Sequence, residues 1–158
     1  MLTSLPPRQP DTLSRVTDLP GSLAEIRDDF LSFTENERLQ LLLEFSNELP
    51  ALPATYAEHP ELLERVEECQ SPVYLAVDVV DDVVHVHATA PAEAPTTRGF
   101  ASMLVQGISG LSPAAVLTIP DDFPLQLGLT TVVSPLRLNG MAGMLRRIKR
   151  HVSAKAST

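Results

Sequence analysis

The sequence predicts an α+β domain, with helices first, a small antiparallel sheet of about three strands next, and flanking helices after it. Three observations lead there. Apolar residues recur at helical spacing over 23–49, alternate over 73–89, and return to helical spacing from Phe100 onward. The strand-like residues form one block instead of alternating with helices, which separates α+β from a parallel α/β sheet. At 158 residues, the chain has the length of a single domain.

Residues 1–20 carry Pro6, Pro7, Pro10 and Pro20, with few large apolar groups, and are expected to form a tail. The folded domain is expected over 21–152, with a short second tail over 153–158. Ser22 and Glu25 have capping-box spacing and precede a stripe of Leu23, Ile26, Phe30 and Phe33. Thr34 and Glu37 repeat that signature before Leu39, Leu42, Leu43 and Leu49, so two helices with almost no loop are expected, ended by Pro50. A short helix is expected over 60–66. Val73, Leu75, Val77 and Val79 then alternate with Tyr74, Ala76 and Asp78, and residues 83–89 alternate again beyond an Asp81-Asp82 turn. An isolated hairpin is marginal, so a third strand is needed, and residues 66–71 are the expected place for it. Pro95 suits a helix start, and Phe100, Met103, Leu104 and Ile108 carry that helix to Gly110. Ser112-Pro113 restarts a short helix. Ser134-Pro135 is an N-cap followed by proline, and Leu138, Met141, Leu145, Ile148 and Val152 form the last stripe.

Twenty acidic residues against twelve basic ones give a net charge of −8, which disfavours binding to nucleic acid and to anionic membranes. One cysteine excludes an internal disulfide framework and a cluster or zinc site made of cysteines alone. The N-terminus lacks the pattern of a signal peptide, and no apolar run is long enough to span a bilayer. A soluble, cytoplasmic protein is expected.

Few residues carry candidate chemistry. Cys69 precedes a strong strand; free cysteine is commonly a small buried hydrophobe, and Glu67 and Glu68 beside it would raise the thiol pKa. Arg137 lies in the first turn of the last helix, where a cation meets the positive end of the dipole. It reads either as an exposed arginine reaching a carboxylate or as a guanidinium placed for an anion or a partner. His85 and His87 share a strand face, a spacing metals use, but no third ligand is close in sequence. The glycines at 99, 107 and 110 lack the spacing and lysine of a phosphate loop. Arg146, Arg147, Lys149 and Arg150 read most simply as a solvated face suited to a helix C-terminus, or else as a dock for an acidic partner.

Three ordered segments carry a resemblance. Arg65-Val66-Glu67-Glu68-Cys69-Gln70-Ser71-Pro72-Val73-Tyr74-Leu75 resembles the active-site segment of the SufE family of sulfur acceptors. Thr97-Arg98-Gly99-Phe100 with Gly110-Leu111-Ser112-Pro113 is similar to its middle helix and the restart beyond it. Ser134-Pro135-Leu136-Arg137-Leu138-Asn139-Gly140-Met141, then Met144 and Ile148, is similar to its C-terminal signature. The chain departs from the pattern at Glu68, where glycine is common, and at Tyr74, where tryptophan is common. Glutamate lacks the positive-φ freedom of glycine.

The resemblance implies a SufE-like fold, akin to that of the iron–sulfur scaffold proteins, and a sulfurtransferase-like accessory role beside a cysteine desulfurase. Cys69 would take sulfur as a persulfide, stimulate the desulfurase and pass the sulfur to an iron–sulfur scaffold. Arg137 would dock the partner or steady the exposed loop. Gln70, Ser71 and Tyr74 would shape the loop, and Glu93 and Arg98 would border the docking surface. No cofactor is expected in this chain, because the pyridoxal phosphate belongs to the desulfurase. A monomer or weak homodimer is expected. The alternative is an allosteric activator that carries no sulfur. A scaffold role fails on ligand count, since a cluster needs about four protein ligands. A hydrolase using Cys69 and a histidine lacks an evident base and pocket.

Overall fold

The structure, a computed structural model, describes residues 19–156. The tail expected over 1–20 therefore lies outside the described residues except for Leu19 and Pro20. Helix α1 (Gly21–Leu31) and helix α2 (Glu35–Asn47) follow each other with a three-residue link. Thr34 and Glu37 close a full capping box on α2. The matching spacing at Ser22 does something else. Pro20 is the N-cap of α1, and Ser22 Oγ donates to Gly107 O at 2.5 Å, tying α1 to a later helix.

Residues 60–66 depart from the expected short helix, and a helix lies just before them instead. In order, the chain forms helix α3 (Ala54–Glu58), a 3₁₀ turn (Pro60–Leu62) and strand β1 (Glu64–Arg65). The third strand thus lies just before residues 66–71, not on them. Strand β2 (Tyr74–Val80) pairs antiparallel with β1 through Arg65↔Tyr74 and Glu64↔Leu75. Val66 N–H donates to Val73 O and Cys69 N–H to Val66 O, so the segment carrying Cys69 is the loop of the β1–β2 hairpin. Strand β3 (Val83–Thr89) pairs along the whole of β2, giving the order β1-β2-β3. Asp81 and Asp82, at φ 52° and 64°, make the tight turn between them, the left-handed pair that fits the twist of a two-residue hairpin.

Leu75, Val77 and Val79 face Ala88, Val86 and Val84 across the register and form the inner face. Helix α4 (Pro95–Ile108) and helix α6 (Pro135–Ala156) pack against it, with the short helix α5 (Pro113–Leu117) and a 3₁₀ segment (Phe123–Leu127) between them. Phe100, Met103, Leu104 and Ile108 of α4 and Met141, Leu145, Ile148 and Val152 of α6 are all buried, as their spacing predicts. Helix α6 continues through Ala156, so residues 153–156 are helix and not tail. In its last turn Lys155 Nζ donates to Val77 O of β2 at 2.5 Å. The outer face of the sheet carries Asp78, His85 and His87. Tyr56 of α3 donates to Asp78 Oδ1 at 2.8 Å, and His87 Nε2 lies 3.2 Å from Asp78 Oδ2.

Helices α2 and α4 meet at Gly99, where a Cβ would fall 2.5 Å from Leu42 O. That is a backbone approach no side chain could share. Gly99→Ala is expected to destabilise the fold by about 1–3 kcal/mol, the usual cost of overpacking a core, read from the urea midpoint.

Candidate functional site

Cys69 sits at the far end of the β1–β2 loop, pressed on the N-terminal half of α6. Its exposure is 6%. Two glycines of α6 make the seat. A Cβ on Gly140 would stand 3.0 Å from Cys69 Sγ, and one on Gly143 would stand 2.6 Å from Glu68 Cδ. Each glycine costs about 1 kcal/mol of helix propensity, and close approach of the cysteine loop is the compensating use. Glu68, at the position where the family pattern has glycine, is accommodated without left-handed backbone, since the positive-φ residues other than glycine among those described are Asp81 and Asp82.

Arg147, one turn beyond Gly143, holds the loop electrostatically. Its Nε donates to Glu68 Oε1 at 2.9 Å, and its Nη1 to Glu64 Oε2 at 2.5 Å and to Arg65 O at 3.2 Å. Arg150 and His151 complete the cluster on Glu64, at 2.6 Å each, while Arg146 reaches Glu68 at 3.7 Å. Lys149 pairs with Asp121 at 2.8 Å. The four cations are therefore not a free solvated face. They lie mid-helix and bind the protein's own carboxylates. Burial would raise the Glu68 carboxyl, but the Arg147 hydrogen bond, a backbone bond and the charges of Arg147 and Arg146 outweigh it and hold the pKa low. Burial is likewise outweighed at Glu64, by His151, Arg150 and Arg147.

The thiol itself goes the other way. Burial first, and the Glu68 charge second, push Cys69 up to about 11, with Arg147 and Arg65 only partly offsetting them. As folded, Cys69 is a sheltered thiol, not a poised thiolate.

Beside it opens a cleft of about 390 Å³ that gathers Cys69, Gln70, Ser71, Glu93, Leu136 and Arg137. Ser134 caps α6 by accepting from Arg137 N–H at 3.3 Å, so the N-terminus of the helix and the exposed Arg137 guanidinium both bring positive charge to the cleft. No carboxylate among the described residues pairs with Arg137. Two expected site residues lie elsewhere. Tyr74 lies under the Arg65 guanidinium, 5.9 Å from its ring centroid. Arg98 donates to Ser46 O at 2.9 Å and Ala90 O at 2.6 Å, tying α2 and the β3–α4 link to α4. His85 and His87 stand on the outer sheet face, and no group of three or more metal-ligating side chains is gathered among the described residues.

Gly140, Gly143, Glu64 and Arg147 were not legible as site residues from local motifs. One signal was available: two helix-weakening glycines three residues apart, with Arg147 on the same face one turn later, form a stripe that stability alone would not select.

Fold and site define a small α+β protein whose single cysteine is carried on a hairpin loop and sheltered at the edge of a cleft that holds Arg137 and Glu93. The SufE family model, described as an Fe-S metabolism associated domain, matches residues 24–152, and the chain belongs to that family. It is 53% identical over 135 residues to a SufE-like protein of Mycobacterium tuberculosis, covering 85% of this chain and 93% of that one. A SufE-like protein of Arabidopsis thaliana, chloroplastic/mitochondrial, is 30% identical over 87% of this chain but only 36% of its own length. A solution structure of a hypothetical protein from Thermus thermophilus superposes with a TM-score of 0.79 at 35% identity, covering 89% of this chain and 99% of that one. Family membership assigns the chain to iron–sulfur metabolism. No helix among the described residues is long and apolar enough to cross a membrane.

Two outcomes follow from the charges. Alkylation of Cys69 by iodoacetamide in the isolated protein is expected to keep accelerating past about pH 10, where an ordinary thiol of pKa about 8.5 has levelled off. Glu64 and Glu68, with depressed pKa values, contribute stability that is present above their unfolded value and lost as pH falls through the folded one. Arg147→Ala is therefore expected to cost about 2 kcal/mol at pH 7, between an exposed and a buried pair. It should also flatten the decline in stability below about pH 5, as measured by urea unfolding across pH.

Proposed function

We propose that the chain accepts sulfur on Cys69 from a pyridoxal phosphate-dependent cysteine desulfurase and carries it toward iron–sulfur cluster assembly. The observation that carries this reading is the chain's only thiol, held at 6% exposure on a hairpin loop at the edge of the cleft bearing Arg137. A permanently active nucleophile would gain nothing from such shelter. A carrier would, because a bound persulfide is reactive toward solvent thiols and oxidants.

The chemistry is thiol exchange. Cys69, as thiolate, attacks the terminal sulfur of the desulfurase persulfide; a new S–S bond forms on Cys69, the S–S bond of the partner breaks, and its cysteine leaves as thiolate. Nothing is oxidised or reduced overall, and the proton lost by Cys69 balances the one the leaving thiolate can take up. The attack is in line, so the loop must bring Cys69 outward. Arg137 and the N-terminus of α6 favour the anionic form once the thiol leaves its apolar seat. Leu136, half exposed at the cleft mouth, offers apolar contact for the docked partner. Gln70, Ser71 and Glu93 border the same surface. Any pyridoxal phosphate stays with the desulfurase, and the reducing cytoplasm suits a carrier with a free thiol.

A second reading is favoured by the high pKa of Cys69: the protein stimulates the desulfurase by docking and carries no sulfur. One experiment separates them. The protein is incubated with a purified cysteine desulfurase and free cysteine, and its intact mass is taken without reductant. A gain of one sulfur atom, removed by reductant and absent in Cys69→Ser, is expected. Faster desulfurase turnover that survives Cys69→Ser, with no mass gain, would establish the activator instead.

A further inference from the structure

Glu68 occupies the place where the family pattern has glycine, and it is the residue through which the cysteine loop grips α6. Its side chain fills the notch over Gly143, and its carboxylate meets Arg147 at 2.9 Å and Arg146 at 3.7 Å. The base of the loop is anchored by Val66 and Val73, both buried and joined by Val66 N–H to Val73 O, but between them little else holds it. Beyond Val66 the backbone bond from Cys69 N–H to Val66 O stays within the loop, and the thiol's own seat is the small space over Gly140. Arg147 is differently placed. It is also bound to Glu64 and to Arg65 O, both on β1, so it keeps a counter-ion whether or not Glu68 is present.

We infer that the Glu68–Arg147 ion pair is a latch that keeps the Cys69 loop closed on α6, with Glu64 holding Arg147 in place when the latch opens. Glu68 is then a positioning residue acting through its neighbour. Opening carries Glu68 and Cys69 together off α6 and exposes the thiol to water, which relieves the burial that is the main cause of its raised pKa. The charged groups facing Cys69 are Glu68 from its own loop, Arg65 from β1, Arg147 from α6, and Glu93 and Arg137 at the cleft. This inference rests on the sulfur-acceptor reading for its purpose but not for its test.

The test uses the isolated full-length chain and no desulfurase. Iodoacetamide alkylation of Cys69 and amide hydrogen exchange over residues 66–73 are measured for the wild type, Glu68→Gln and, as control, the exposed Glu67→Gln. Glu68→Gln is expected to alkylate about fivefold faster, the equivalent of losing a pair worth about 1 kcal/mol, and to exchange faster over 66–73, while Glu67→Gln matches the wild type. The wild type supplies a reading that needs no variant to fold. Raising salt from about 0.05 M to about 0.5 M should speed its alkylation about twofold by screening the pair. Faster alkylation with unchanged exchange would mean that Glu68 acts only through its charge on the thiol, and would overturn the latch. So would equal alkylation in Glu68→Gln, or wild-type alkylation indifferent to salt. Failure here leaves the persulfide mass gain unaffected, and absence of that gain leaves these rates unaffected.

Discussion

The guanidinium of Arg147 is the contact on which the site depends. Three acceptors converge on it from one hairpin: Glu64 and Arg65 O from the strand, and Glu68 from the loop. A fork of fixed donors suits that geometry in a way an ammonium would not. Strand β1 is two residues long and pairs only with Arg65↔Tyr74 and Glu64↔Leu75, too little to hold a hairpin by itself. The ion cluster on α6 is what fixes β1, and through β1 the loop. Because the partners are local to one helix and one hairpin, the arrangement leaves the α4 side of the core untouched.

A cysteine that must both hide and react sets two requirements against each other. Burial raises its pKa and protects it; transfer of sulfur needs it ionised and in the open. The structure resolves this spatially. The closed seat, between Gly140 and Glu68, is apolar and faces a carboxylate, whereas the adjoining cleft offers Arg137 and a helix N-terminus. That cleft also holds Glu93, so what distinguishes the two places is burial against exposure, not charge of one sign against the other.

Much of the architecture was legible in the sequence because it is written in local patterns. The alternation over 73–89, the Thr34–Glu37 box and the Ser134-Pro135 start each specify their element within a few residues. The errors share a cause. Ser22 has capping spacing but is drawn to Gly107 O, 85 residues away. The sequence points to a third strand at 66–71, yet two residues suffice for β1 once α6 clamps it. The basic run on α6 reads in sequence as a solvated face or a dock for an acidic partner because its own partners, Glu64, Glu68 and Asp121, are distant in sequence. Within the candidate site, Cys69, Gln70, Ser71, Glu93 and Arg137 do come together around one cleft, whereas Tyr74 and Arg98 are spent on packing and on backbone carbonyls. Ion pairing between remote segments leaves no periodicity to read.

The brevity of β1 has a cost elsewhere in the sheet. Beyond Leu75 no strand among the described residues pairs with the outer edge of β2, and an open edge of Val-rich strand is a template for another chain. Lys155, in the final turn of α6, sets its ammonium on Val77 O and within 4.0 Å of Asp78. A cation there blocks the ladder a second molecule would use. The last turn of the helix is therefore a guard against edge-to-edge self-association, and its loss would be felt in solubility before it was felt at the thiol.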